Sequence, residues 1–339
     1  MELCDFTLEF SAEHDAVVLQ LTDMQIIDAS KQRHEGRLKP GECEYWAHGK
    51  AEELCYRYVR ECVEANRPDL ILVSGDNVYG EFDDDGETLL EFISFMEGLG
   101  VPWAVVFGNH DNESKMGAEW QCEMLENAKN CIFRRGSCSG YGNFSLAVKM
   151  NGKLKRVFLM LDSHGYGTGN GIYPDQLEFC RETVMRVKKS APKACFSVVT
   201  HIPFAAFADS LVRYGYSRDS FAPIDIDKLS DGDDFGYMGS KTTESYDRDG
   251  TIFDELCSLG VDSVFVGHEH TNSASIVYRG VRLQFGQKSS CYDKINYVGE
   301  SGEYVGSYTP AGAPVVGGSV FSIDKENGKI KDAHIYLCK

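Results

Sequence analysis

Nowhere in the chain do about 18 apolar residues run together, so no membrane-spanning helix is expected. The opening MELCDFTLEF lacks the basic start and apolar run of a secretion signal. Basic residues are scarce: 34 Lys plus Arg stand against 52 Asp plus Glu, a formal net charge of −18. An acidic surface repels polyphosphate backbones, which argues against a stable nucleic-acid complex. A metal site would reverse that sign locally, so a small phosphorylated substrate fits the charge balance. No CxxC pair occurs among the 12 cysteines, and their spread from Cys4 to Cys338 suits reduced thiols in a cytoplasmic protein. A chain whose leader had been removed would read the same way. No repeat, low-complexity tract or Pro-rich linker divides the 339 residues, so a single domain over 1–339 is expected.

What the chain does contain is a series of short apolar runs, each closed by a polar turn. They are AVVLQLTD (16–23), PDLILVSGD (68–76), PWAVVFGNHD (102–111), RVFLMLDS (156–163), ACFSVVTH (194–201) and VDSVFVGHEH (261–270). Continuous Val/Ile/Leu/Phe runs of this length suit strands buried on both faces. Helical spacing of apolar residues lies between them, over 44–66, 86–100, 174–189 and 249–260. Alternating strands and helices predict an α/β layered fold. Near the C-terminus, 274–286 and 317–338 read as hairpin strands, turning at YRG and KENGK and contributing to a second sheet.

The runs end in Asp23, Asp76, Asn109-His110-Asp111, His201 and His268-Glu269-His270. Ligands of open α/β sheets bind beyond the carboxyl ends of strands, so five such ends can converge on one pocket. They would bring two carboxylates, one amide and three imidazoles together, with His110 beside them. Carboxylate and imidazole suit Mn, Fe and Zn, and a carboxylate can bridge two ions through its two oxygens. Two ions about 3.5–4 Å apart can clamp a phosphoryl group and acidify a water. In the HEH triplet an extended backbone sends His268 and His270 one way and Glu269 the other.

These residues, Asp23-Met24-Gln25, Gly75-Asp76, Gly108-Asn109-His110-Asp111, His201 and Gly267-His268-Glu269-His270, resemble the ordered motifs of the calcineurin-like metallophosphoesterase superfamily. The resemblance runs from about residue 16 to 290. GDNVYG, PWAVVFGNHDNE, LDSHGYG and GVRLQFG look most similar to its purple acid phosphatase-like branch without an N-terminal β-domain. It implies a layered β-sandwich flanked by helices and two ions of Fe, Mn or Zn. One would be held by Asp23, Asp76, His270 and Tyr79, the other by Asp76, Asn109, His201 and His268, with Asp76 bridging. The family's first motif has His two residues after its Asp, where this chain has Gln25, a weaker donor. Purple acid phosphatases carry a tyrosine three residues after the bridging Asp, and Tyr79 stands there. Tyr79 would bind ferric iron as phenolate; otherwise Gln25 or water completes that shell.

The implied activity is hydrolysis of phosphate esters, a hydroxide held by the ions attacking phosphorus. His110 would protonate the leaving oxygen, oriented by Asp111, a nearby opposite charge that raises its pKa. His164, Lys288, Arg279 and Arg282 are further candidates for touching substrate. Asn112 and Glu113 read as helix caps, His48 as a bystander on a helix, and 227–239 as an acidic loop that is either a lid or a solvated insertion. Alternatives are a phosphodiesterase acting on cyclic-nucleotide or phospholipid-type diesters and a non-catalytic metal-binding scaffold, which Gln25 favours. A nuclease is disfavoured by the charge. Oligomeric state is not legible.

Overall fold

A computed structural model describes residues 2–11, 13–31, 33–38, 40–165, 169–220, 222–243, 246–290 and 316–338. Its strands are β1 (Phe6–Phe10), β2 (Ala16–Leu21), β3 (Leu70–Val73), β4 (Trp103–Val105), β5 (Cys131–Ile132), β6 (Phe144–Met150) and β7 (Lys153–Met160). They continue with β8 (Cys195–Val199), β9 (Phe235–Met238), β10 (Val261–Val266), β11 (Asn272–Tyr278), β12 (Val281–Phe285), β13 (Gly317–Ile323) and β14 (Ile330–Leu337). The helices are α1 (Pro40–Tyr45), α2 (Ala51–Asn66), α3 (Glu87–Gly98), α4 (Gly117–Asn127), α5 (Pro174–Ser190), α6 (Ala205–Leu211) and α7 (Thr251–Leu259).

The six apolar runs become β2, β3, β4, β7, β8 and β10, and each strand stops before the polar residues that close its run. One sheet has the order β14-β13-β2-β3-β4-β5, with β2 to β5 parallel. The other has the order β1-β6-β7-β8-β10-β12-β11-β9, with β7, β8, β10 and β12 parallel. The C-terminal hairpin does join a second sheet, since β13 pairs antiparallel with β2.

Side-chain alternation sorts the strand residues between two cores. Val199 and Phe265 face the six-stranded sheet, and Phe265 stacks on Phe321 with ring centroids 4.6 Å apart. Their neighbours Val198, Val264 and Val266 face the other way and join a core built with α5, α6 and α7. Helices α2, α3 and α4 cover the outer side of the six-stranded sheet, where Phe92 of α3 meets Trp103 of β4 edge to face at 5.7 Å. The result is two sheets packed face to face with helices outside each, the fold class the sequence predicts. No helix among the described residues is long and apolar enough to cross a membrane. The eleven cysteines described are thiols; Cys291 lies outside the described residues.

Two local expectations are corrected. Residues 44–66 do not form one helix: Gly49, at φ 81°, breaks it into α1 and α2. Segment 227–239 is not a free loop, because its end is β9, an edge strand paired with β11. Buried Asp234 anchors it, accepting from Tyr214 Oη at 2.6 Å and from Val277 N at 2.7 Å.

Phe265 fills the space between the sheets with no exposure. Phe265→Ala is expected to cost about 3–5 kcal/mol of stability, read as a lower urea midpoint with an unchanged slope.

Candidate metal centre

The carboxyl ends of β2, β3, β4, β8 and β10 meet where the two sheets join. Backbone bonds hold them there. Asp23 N donates to Gly75 O at 3.1 Å, Gln25 N to Asp76 O at 2.9 Å, and Gly267 N to His201 O at 3.0 Å. The turns are tight: Asp23, Gln25, Asp76 and His268 have φ of 52°, 46°, 52° and 71°, the left-handed region that L residues seldom adopt. Such outliers persist only where surrounding bonds over-determine them. Gly108 is required for another reason. A Cβ there would collide with the Asp76 carboxylate, so only glycine lets the β4 turn lie against it.

All six residues expected to gather do so. Asp76, His201 and His268 form one group of possible ligands, and Asp23, Asp76 and His270 another, with ligand atoms within 4.8 Å in each. His201 Nε2 lies 3.3 Å from Asp76 Oδ1, 3.2 Å from Asn109 Oδ1 and 3.3 Å from His268 Nδ1. His201 Nδ1 faces Ser74 O at 2.8 Å, a contact in which only the nitrogen can donate, so Nε2 is the atom left for the cluster. His270 Nε2 stands 3.4 Å from Asp23 Oδ1, a buried oxygen with no hydrogen bond. Glu269 points the other way, as expected, and accepts from Thr242, Thr243 and Asn272.

The electrostatics call for positive charge. Burial alone would raise the Asp76 pKa, but His201 and His110 outweigh it and hold the carboxyl well below its usual range. Burial alone would depress the His201 imidazolium, yet Asp76 beside it lifts its pKa to about 9. Burial and the charge on His201 push His268 down to about 4. A buried oxygen without a donor, clustered imidazole nitrogens and a carboxylate in both groups fit a pair of cations.

His110 sits at the rim. Its backbone N–H donates to Asp76 Oδ1 at 2.9 Å, and its ring Nδ1 meets Glu113 Oε2 at 2.8 Å. Burial lowers the His110 pKa, but Asp76 and then Glu113 reverse that, and the net direction is upward. The expectation that Asp111 orients this ring is therefore corrected. Asp111 Oδ1 accepts from Asn77 N and Val78 N, and Oδ2 from Gly108 N and Asn77 Nδ2, so the carboxylate is committed to the backbone of the β3 and β4 turns. Glu113, expected as a cap, is the residue that meets the ring.

Tyr79 stacks on His110 with ring centroids 4.0 Å apart, and its hydroxyl accepts from Arg37 Nη2 at 3.4 Å. Burial and the charge of Glu113 push the phenol pKa up. Lys288 is wholly buried, contrary to the usual exposed lysine, and bonds to Gln25 and Asp23. His164 is buried beside Tyr173, its Nδ1 on Gly171 O at 2.9 Å. Arg279 pairs with Asp254 in the β11–β12 turn, and Arg282, near the start of β12, bonds Ser275 and Asp233; both lie at the end of the strands away from the cluster. His48 lies between α1 and α2, 3.3 Å from buried Glu52, in a third group of possible ligands with Glu91. Glu113, Arg37 and the burial of Lys288 had no readable motif, because each depends on contacts between distant segments. Asp111→Ala would strand three buried backbone donors, and a loss of at least about 3 kcal/mol in urea unfolding is expected.

Residues 16–272 match the family model described as calcineurin-like phosphoesterase. Phosphatase DCR2 of Saccharomyces cerevisiae is 26% identical over 235 residues, 66% of this chain and 39% of that protein. The chain thus spans well under two thirds of that relative's length. "Probable inactive purple acid phosphatase 29" of Arabidopsis thaliana is 23% identical over 300 residues, 82% of this chain and 73% of that one. A purple acid phosphatase from yellow lupin (Lupinus luteus) seeds aligns over 96% of this chain and 54% of that one, with TM-score 0.48 and 12% identity. With the match over 16–272 covering the whole run of site residues, the chain belongs to the calcineurin-like phosphoesterase family.

Proposed function

We propose that the chain hydrolyses esters of phosphate on small molecules, using two metal ions of Fe, Mn or Zn. Asp23, Asp76 and His270 would hold one ion, and Asp76, Asn109, His201 and His268 the other. The observation that carries this is the convergence of these six side chains from five strand ends: five of them form two groups that share Asp76, with ligand atoms within 4.8 Å in each, and Asn109 Oδ1 lies 3.2 Å from His201 Nε2. When bound, the ions would supply Lewis acidity toward a phosphoryl oxygen and a water acidified toward neutral pH. Asp76 serves both positions because its carboxylate has two oxygens, and the backbone N–H of His110 orients it. Ser74 O fixes the His201 ring so that Nε2 faces inward.

His110 holds the proton for the leaving oxygen. Asp76 and then Glu113 favour the protonated ring, and Glu113 on Nδ1 leaves Nε2 to donate. The His110 side chain keeps 21% exposure, which suits a substrate whose leaving group reaches solvent. Tyr79, stacked on this ring and accepting from Arg37, supports the face of the imidazole. A metal-binding scaffold is the second reading, favoured by Gln25 in place of histidine; metal bound without turnover would select it.

Metal quantification with an aryl monoester and an aryl diester, after loading with Mn²⁺ or with Fe and Zn, tests the reading and separates the two ester classes. No metal uptake by the intact chain would overturn it. His110→Asn is expected to lower kcat by about 10²–10⁴ while metal content stays unchanged. Glu113 raises the folded His110 pKa, so Glu113→Gln lowers it, and the alkaline limb of kcat/KM should move to lower pH. A limb that stays in place would remove Glu113 from the proton step.

A further inference from the structure

Three residues beyond β12, Lys288 has no exposure at all, which is rare for lysine unless it is paired. Its Nζ donates to the backbone oxygen of Asp23 at 2.8 Å and to Gln25 Oε1 at 3.1 Å. An ammonium only donates, so the Gln25 amide can face it only with oxygen. The other end of the amide is thereby turned to Asp76, with Nε2 donating to Oδ2 at 3.0 Å. The Gln25 backbone is pinned as well, since its N–H donates to Asp76 O at 2.9 Å. Gln25 therefore stands beside the Asp23–Asp76–His270 group with its amide nitrogen forward.

That arrangement bears on metal binding in three ways. An amide nitrogen has its lone pair delocalised and is no ligand, so Gln25 adds no donor to this group. One Asp76 oxygen is already engaged by an N–H. A buried ammonium lies one side chain behind, and its charge opposes a second cation nearby. On the other side of Asp76, Oδ1 likewise accepts an N–H, from the His110 backbone at 2.9 Å, but there His201, His268 and Asn109 all turn ligand atoms inward, so the contrast between the groups lies in the amide nitrogen of Gln25 and the ammonium behind it.

We propose that Lys288 is a positioning residue which, through Gln25, holds an amide N–H on Asp76 and makes the Asp23–Asp76–His270 position the weaker of the two metal positions. This rests on the two-ion reading above. It makes occupancy of the first position, and with it any turnover, depend on metal concentration.

Titration of the intact metal-free chain with Mn²⁺, followed by electron paramagnetic resonance and by equilibrium dialysis, tests it. The wild type is expected to take one equivalent with an uncoupled spectrum. The second, which brings spin coupling, should need at least ~10-fold more Mn²⁺, as a nearby unit charge implies. Lys288→Met should narrow that gap. Gln25→Leu removes both ends of the relay and should bind the second equivalent more tightly than the wild type does; it carries the test alone if Lys288→Met fails to fold. Equal binding of two ions by the wild type, an unchanged gap in folded Lys288→Met, or a second ion bound no more tightly in Gln25→Leu would overturn this inference alone. No Mn²⁺ binding by the wild type would overturn the phosphoesterase reading with it.

Discussion

Two carboxylates buried away from bulk solvent set the terms for the rest of the molecule. Asp23 and Asp76 are buried at the seam of two sheets, their oxygens within 4.8 Å together with the His270 ring. Like charges held so close in a poorly polarisable medium repel strongly, and the group is tolerable only if positive charge stands among them. The chain supplies part of it: the imidazoles of His201 and His270 from two strand ends, His110 at the rim and Lys288 behind. The remaining demand is what two cations would meet.

Everything structural follows from placing those acids. Parallel strands β2, β3, β4 in one sheet and β8, β10 in the other point their carboxyl ends the same way, so five turns share one small volume. The turns are forced into left-handed backbone conformations at Asp23, Gln25, Asp76 and His268. Asp111 holds the turns of β3 and β4 by four hydrogen bonds, and Gly108 and Gly267 keep room for the carboxylates. Behind the site, the stacked pair Phe265 and Phe321 ties the sheets that carry its two halves. Strain at the site is thus supported by packing beneath it.

The cluster is asymmetric. Both sides of Asp76 carry ligand atoms, but the side shared with Asp23 and His270 also meets an amide nitrogen backed by a lysine. His110 is tied to the same carboxylate through its backbone N–H, so the group proposed to give up a proton is bonded to a residue proposed to bind metal. Some relatives carry names that call them inactive, and the Gln25–Lys288 pair is a physical place where the members of such a family can differ.

Local pattern was enough to read the six central strands, three of the four long helices and the six clustered ligands, because apolar runs and the residues that close them depend on neighbours in the chain. The same pattern placed Asp76 beside Asn109 without any knowledge of distance, since strand ends are where parallel sheets expose side chains. It failed where the answer lay in contacts across long separations. Asp111 and Glu113 are two residues apart, and nothing local says which one turns toward His110; the backbone donors of the β3 turn claim Asp111 and leave the ring to Glu113. Lys288 reads as a surface residue until β12 carries it beneath Gln25, 263 positions earlier in the chain. The sequence by itself determined which chemical groups reach the seam; only the tertiary structure decided which of them face one another, because hydrogen-bond direction and burial are properties of the assembled fold.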